Sequence, residues 1–541
     1  MLTMSEEPPW GETDRRQLEV CEAFLKEASG QWTYLYRSWG DIGSFSGGQY
    51  SALLPASHVE HARNDFGWDL MVGSGGPGFT QINTESGWET IYHRFSSDGI
   101  EPLVLYRSFD GLRPRELELS EEFRLLFNLW EDRKTKTYYL FDPAGDATAV
   151  ATVTDESVRV ATSLVRRYQA ARQLHLALFL DSTLWSESLE GEVDWQTRNG
   201  DATLKYYRGT LPGERLFSRL YGKRILAPPP SEASGIWPYE EEREYESFII
   251  GVDDLGHEIT HMSDPDKLAN YFGKNPESPH YLTAVFFRRE VLNKYYADPD
   301  RYSVEHGYIR CAGLWGLRLD NDVPDHVMVF LGDLGRDIPL SEARYWRSFN
   351  ISPQEQVSET LVKRAFRAEF ADPASVDLRF ARVYAETKAV WEKAYGWPLF
   401  SPLHDDDVHI LAKLHVPASD SQSEFDEQVL YLAKLLVDYL NEGAMTKALQ
   451  APVKGKKGLA KLERFLAETG AADAAGLVRP FANLQGLRSR GSAHRKGSDF
   501  DLSVAIGELT RRDGLRNLMS EAVNALESLK SHAEGGGGAD A

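Results

Sequence analysis

The sequence has only two cysteines, Cys21 and Cys311, in 541 residues, which excludes a disulfide framework and a zinc site built on thiolates. No stretch approaches the roughly 20 consecutive apolar residues that a membrane-crossing helix needs. The opening "MLTMSEEPPWGETDRR" lacks a basic start followed by an apolar run. No secretory signal is therefore expected, and the chain reads as cytoplasmic, without a membrane partner. Repeats at solenoid periods are missing as well. Basic charge is in short supply: 60 Lys and Arg face 82 Asp and Glu, a net charge of −22. Such a surface repels a phosphate backbone over most of its area, so any nucleic-acid site has to be a local basic patch.

What is present is globular in composition, 42% hydrophobic and 26% charged with a mean hydropathy of −0.42. That is enough for two large domains or about three to four smaller ones. Residues 12–29 have helical spacing, with Leu18, Cys21, Phe24 and Leu25 on one face. Strand-like runs ("EPLVLYRSF", "TYYLFD", "ESVRVAT", "HLALFLD") then alternate with helix-like ones ("SEEFRLLFNLW", "SLVRRYQAARQL"). The prolines at 228–230 mark a linker. A second mixed region follows, with "ESFIIGVD", "YLTAVFF", "GLWGLRLD" and "HVMVFLGDL" as strands. The expected fold class is α+β: a mixed N-terminal domain over 1–227, a mixed middle domain over 235–415 ending in helices, and an all-helical bundle over 420–531. A flexible tail over 532–541 completes the chain. The bundle opens on a capping box, Ser421 and Glu424, and its apolar residues recur at helical spacing through Leu529.

Several motifs lack the context their chemistry needs. "HEITH" at 257–261 matches H-E-x-x-H, but a zinc site needs it on a helix. Here a β-branched run and an Asp-Asp-Leu-Gly turn precede it, which predicts a hairpin. "GSGGPG" at 73–78 contains a dinucleotide fingerprint, but the following "FTQINT" has no helical period to carry the phosphate-binding N-terminus. In "LHDDDVHILAKLH", Asp405 to Asp407 are expected to cap a helix rather than bind a metal. Trp32, Tyr34, Tyr36 and Trp39 could stack on bases, but at strand spacing they read as sheet residues. "DLGRD" at 333–337 reads as a turn after a strand.

One stretch reverses the charge balance. Between 451 and 499, Lys454, Lys456, Lys457, Lys461, Arg464, Arg479, Arg488, Arg490, Arg495 and Lys496 face only Glu463, Glu468, Asp473 and Asp499. Gly491 interrupts a helical pattern there, which puts His494 at or just beyond a helix end close to Arg488 and Arg490. Histidine titrates where a 2′-OH proton can be taken up, and arginine holds a phosphate through a bidentate fork. Cleavage of RNA by such a pair needs no metal and no cofactor.

Arg488, five intervening residues and His494, late in a helical C-terminal domain, resemble the R-x4-6-H signature of HEPN domains. Members of that superfamily are often metal-independent endoribonucleases of toxin–antitoxin, abortive-infection and CRISPR-associated systems. Their Arg/His pairs meet at a dimer interface. The resemblance implies Arg488 on the scissile phosphate, His494 as general acid/base, and Arg490, Arg495 and Lys496 on flanking phosphates of tRNA or single-stranded RNA. It also implies a homodimer or higher homo-oligomer. A large α+β region ahead of a HEPN domain resembles abortive-infection proteins of the ApeA type, with residues 1–415 sensing a phage-derived or nucleotide trigger. The position after the arginine, usually Asn, Asp or His in active members, is Ser489. A non-catalytic RNA-binding or dimerisation scaffold is therefore the alternative.

Overall fold

A computed structural model of the protein describes residues 14–41, 43–64, 78–93, 100–185, 189, 191–211, 215–240, 242–354, 375–450, 457–489 and 509–536. Helix and strand are mixed over most of this length, and the C-terminal part is helical. No helix among the described residues is long and apolar enough to cross a membrane. Contacts divide the chain into two units, Met1–Arg243 and Glu244–Ala541.

The strands of the first unit are β1 (Trp32–Gly40), β2 (Phe45–Leu54), β3 (Gly78–Thr84), β4 (Gly87–His93), β5 (Glu101–Pro102), β6 (Val104–Arg107), β7 (Glu116–Leu119) and β8 (Trp130–Asp132). They continue as β9 (Thr137–Phe141), β10 (Ala147–Val153), β11 (Ser157–Ala161), β12 (His175–Trp185), β13 (Val193–Asn199), β14 (Ala202–Leu211) and β15 (Arg215–Leu226). One antiparallel sheet runs β13–β14–β15–β12–β2–β1–β11–β10–β9–β8, with β5 beside β2. Helices α1 (Arg15–Leu25), α2 (Val59–Asn64), α3 (Glu121–Leu126) and α4 (Thr162–Arg172) cover it. The central strand β12 shows why its sequence is nearly all apolar. Leu176, Leu178 and Leu180 face a core shared with Phe24 of α1, Phe123 of α3 and Tyr168 of α4. Ala177 and Phe179 point the other way, toward Val59 and Ala62 of α2. Successive strand residues alternate faces, and here both faces are covered.

In the second unit, β16 (Ser247–Val252) and β17 (Glu258–Met262) form a hairpin. Strands β18 (Ala284–Arg288), β19 (Tyr302–Glu305), β20 (Tyr308–Cys311), β21 (Trp315–Arg318), β22 (His326–Phe330) and β23 (Asn350–Ile351) make two small sheets, β22–β18–β23 and β19–β20–β21. Among them lie α5 (Asn293–Ala297), α6 (Leu331–Asp337) and α7 (Leu340–Arg347). The helical part comprises α8 (Val376–Tyr395), α9 (Ile410–Lys413), α10 (Gln422–Ala433), α11 (Glu442–Ala448), α12 (Gly458–Glu468), α13 (Ala474–Leu487) and α14 (Arg511–Gly536). One apolar core takes in Phe380 and Trp391 of α8, Leu432 of α10, Phe481 of α13 and Leu526 of α14. Thus α8, which precedes the 420–531 segment, packs inside the helical core. Its Arg379 reaches both carboxylate oxygens of Glu527 at 2.7 and 2.8 Å. At the start of α10 the capping box is half made. Ser421 Oγ accepts from the Glu424 amide at 3.5 Å, while the Glu424 carboxylate accepts from Ser419 Oγ instead.

A polar joint ties the small sheets to the helices. The Asp377 carboxylate, at the start of α8, accepts from the amides of Leu378 and Val416 at 3.0 and 3.1 Å and lies 3.7 Å from the Arg289 guanidinium. Next to it, His415 stacks flat on Tyr296 with ring centroids 4.1 Å apart. Burial holds the His415 imidazole below its ordinary pKa of 6.5, against the opposing hydrogen bond to the Lys413 carbonyl. The folded state therefore resists a proton that the unfolded chain accepts. Stability should be full above pH 6.5 and fall as pH drops from there toward the folded-state pKa. His175 and His532 are lowered in the same direction. Urea midpoints measured between pH 7.5 and 5 should fall with pH, and less steeply in His415→Phe. Equal slopes would remove His415 from the effect.

Candidate functional site

The sequence points to Arg488, and the structure explains its position. α13 starts at Asp473, whose Oδ1 accepts from the Gly476 amide at 2.8 Å. Val478, Phe481, Leu484 and Leu487 then bury one face of the helix in the helical core. Arg488 is the next residue, still helical in backbone, at the end of α13. Its guanidinium is ion-paired with Asp438, at the end of the π-helical turn Lys434–Asp438 that extends α10. The two side chains are 30% and 39% exposed. A pair this solvated holds with only about 0–1 kcal/mol, so a phosphate can compete for the arginine. Ser489 turns back on its own helix, Oγ donating to the Gln485 carbonyl at 2.8 Å.

Arg490, His494, Arg495 and Lys496 lie outside the described residues, as do Lys454 and Lys456. The described part of the basic stretch is more neutralised than its composition suggests. Lys461 pairs with Glu442 at 3.1 Å and Arg464 with Glu468 at 2.7 Å. Glu442 and Asp438 lie outside the 451–499 window, so a count within the window misses them.

The other motifs resolve individually. "HEITH" lies on the β16–β17 hairpin, where His261 is opposite Phe248 and Glu258 opposite Val252. His257 Nδ1 is 3.0 Å from Asp253 in the preceding turn. Among the described residues, no group of three His, Cys, Asp or Glu side chains is placed to hold a metal ion. Residues 73–77 of "GSGGPG" are outside the described set, and the segment after them is strand β3. Asp405–Asp407 do not cap a helix. They form a 3-10 turn of their own, and Asp407 accepts from Lys434 Nζ at 2.7 Å and Tyr439 Oη at 2.8 Å. The β1 aromatics are engaged in the sheet: Arg159 covers Trp32 at 5.0 Å, and Tyr36 meets Tyr50 edge-on.

The reading of "DLGRD" as a turn is wrong: these residues are most of α6. The helix is short and carries two glycines, which masks its period. Both glycines are there for close packing. A Cβ on Gly332 would come within 2.2 Å of the Tyr281 ring, and one on Gly335 within 1.7 Å of the Ser263 carbonyl oxygen. Gly335→Ala should therefore destabilise the protein by about 1–3 kcal/mol through overpacking against backbone. Thermal unfolding would detect it, and an unchanged midpoint would contradict the packing.

α6 also forms one wall of a cavity of about 620 Å³ that sequence reading does not reveal. Asp333 accepts from Tyr281 Oη at 2.8 Å and from Arg336 at 3.0 Å. Burial raises the Asp333 carboxyl from its usual pKa, although Tyr281 and Arg336 oppose the shift. Tyr308, Arg310 and Arg318 also line it, with Met328, Val329 and Phe330 among the apolar lining residues. These residues come from separate elements between 281 and 336, so no local motif announces them.

No family model, curated protein or solved structure matches this chain.

Proposed function

We propose that the chain is a metal-independent endoribonuclease of the HEPN type, an anti-phage abortive-infection effector that acts in the cytoplasm as a homodimer. What supports the reading is the seat of Arg488. The guanidinium emerges at the end of a helix anchored in the core, held only by a solvated carboxylate that a phosphate can displace. In the proposed reaction Arg488 binds the scissile phosphate and His494 takes the 2′-OH proton. The 2′ oxygen attacks phosphorus, the bond to the 5′ oxygen breaks, and that oxygen receives a proton from the partner subunit's histidine or from water. Arg490, Arg495 and Lys496 hold the flanking phosphates, and residues 1–415 regulate the site. Full-length protein incubated with tRNA or single-stranded RNA in EDTA should cut it, and Arg488→Ala should not. Equal cutting by both would overturn the assignment.

The second reading is a non-catalytic RNA-binding or dimerisation scaffold. Ser489 favours it, because the position after the arginine is usually Asn, Asp or His in active members, and here a serine hydroxyl donates to the Gln485 carbonyl. That reading expects RNA retention with steep salt dependence and no fragments.

A further inference from the structure

We propose that the cavity between α6 and the β20–β21 hairpin is a binding site for a nucleoside phosphate. Its walls carry rings and guanidinium groups together. On the hairpin, Tyr308 stands opposite Arg318 and Arg310 opposite Gly316, so these side chains share one face. Gly316 leaves room for the tyrosine to lie across the strand, since a Cβ there would meet Tyr308 Oη at 2.5 Å. The Arg310 guanidinium sits 4.5 Å from the Tyr308 ring centroid. Across the cavity, Arg336 sits 5.7 Å from the Tyr281 ring centroid.

Each feature of the set fits one part of the ligand. The apolar lining contributed by Phe330, backed by the buried Met328 and Val329, suits a planar base. Three arginines in one cavity suit phosphate oxygens, which guanidinium forks bind in bidentate fashion. Arg336 is already engaged by Asp333 and Asp337, and Arg310 lies 3.9 Å from Glu305. Arg318 is exposed and acts on Asp333 electrostatically, a weaker hold than the close ion pairs of Arg336, which makes it the first candidate for the phosphate. Asp320 also lines the cavity and brings a carboxylate toward ribose hydroxyls or base amines, while Asn321 beside it is held by the Gly307 amide and the Glu305 carbonyl. A volume of about 620 Å³ accommodates a mononucleotide but not a folded RNA.

The segment that follows the cavity's wall contacts the helical part. The Asn321 and Val323 carbonyls accept from Arg289 at 2.9 and 2.8 Å, and Arg289 faces Asp377 at the start of α8. The Ser375 amide donates to Asp322 at 3.2 Å, and Arg512 of α14 pairs with Asp325 at 3.1 Å. A ligand bound against Asp320 and Asn321 therefore bears on the segment 321–325, which contacts the two long helices of the core. The binding site stands without the ribonuclease reading; only its role as trigger rests on that reading.

The test is calorimetric titration of the full chain with the four common nucleoside triphosphates and their monophosphates, and with adenosine and inorganic phosphate as half-ligands. At least one nucleotide should bind, and at least tenfold more tightly than either half. Arg318→Ala and Arg310→Ala should each weaken it by about tenfold or more at an unchanged melting temperature, as expected for loss of a charge-assisted bond. The site is refuted if no nucleotide binds at millimolar concentration, if inorganic phosphate binds as tightly, or if the Arg310→Ala/Arg318→Ala double variant binds unchanged. Cleavage of RNA with and without the bound nucleotide is scored separately, so failure of the ribonuclease reading leaves this result intact.

Discussion

His494→Ala should lower the single-turnover rate of RNA cleavage in EDTA by a factor of at least about 100, the lower end of what a positioned acid–base group contributes. The reason is the proton: without a group titrating near neutrality, the 2′-OH must ionise unaided. Arg488→Ala should cost a similar factor, because the charge that builds on phosphorus then lacks its guanidinium. Arg488→Lys should recover little, since an ammonium group cannot reproduce the fork. Asp438→Ala should act in the opposite direction. It frees Arg488 from its carboxylate, so RNA should bind more tightly and the rate at limiting RNA should rise. A series in which Asp438→Ala and Arg488→Ala behave alike would show that the pair is only a surface ion pair.

The second large effect concerns stability. Asp377→Ala should lower unfolding free energy by about 3–5 kcal/mol, the range for breaking one side of a buried ion pair. The carboxylate is 5% exposed, and it satisfies the Leu378 and Val416 amides besides facing Arg289, itself 6% exposed. Burial alone would raise its pKa, but Arg289 and the hydrogen bonds outweigh burial and hold it below the usual carboxylate value. The sign follows: this stability is present above an unfolded-state pKa near 3.8 and is lost as pH falls through the lower folded value. Urea unfolding at pH 7 measures the loss. An effect under about 1 kcal/mol would mean the joint is solvated. Replacing both partners by apolar residues, Arg289→Met with Asp377→Leu, should recover only the part due to the uncompensated charge, because the Leu378 and Val416 amides and the Asn321 and Val323 carbonyls still lose their side-chain partners.

Where periodicity and burial coincide, the fold is legible. "HLALFLD" reads as strand because β12 is covered on both faces, and the last helix reads as helix because Leu515, Leu518, Ala522 and Leu529 all meet one core. "HEITH" reads as hairpin because a turn and a β-branched run surround it. α6 is missed for the opposite reason. Its Gly332 and Gly335 are there for close approach to Tyr281 and Ser263, and two low-propensity glycines in so short a helix read as a turn although Leu331 and Leu334 are buried on one face. The joint at Asp377 and the cavity near Arg318 are missed because their members are dispersed in sequence and meet only in the fold. The basic stretch is half legible: the helix ending at Arg488 is visible from its spacing, but the neutralising Asp438 and Glu442 come from elsewhere.

The most direct measurement is the chemistry of the RNA ends. Full-length protein is incubated with end-labelled tRNA in EDTA, in the presence of the nucleotides above, and the new termini are identified. Attack by the 2′-OH, with Arg488 and His494 serving it, leaves 2′,3′-cyclic phosphate and 5′-hydroxyl ends, absent in His494→Ala. Fragments with 3′-hydroxyl and 5′-phosphate ends that form only with added metal, or identical fragments from the variant, would contradict the ribonuclease assignment. Intact RNA retained by the protein under all these conditions would contradict it equally, in favour of the scaffold.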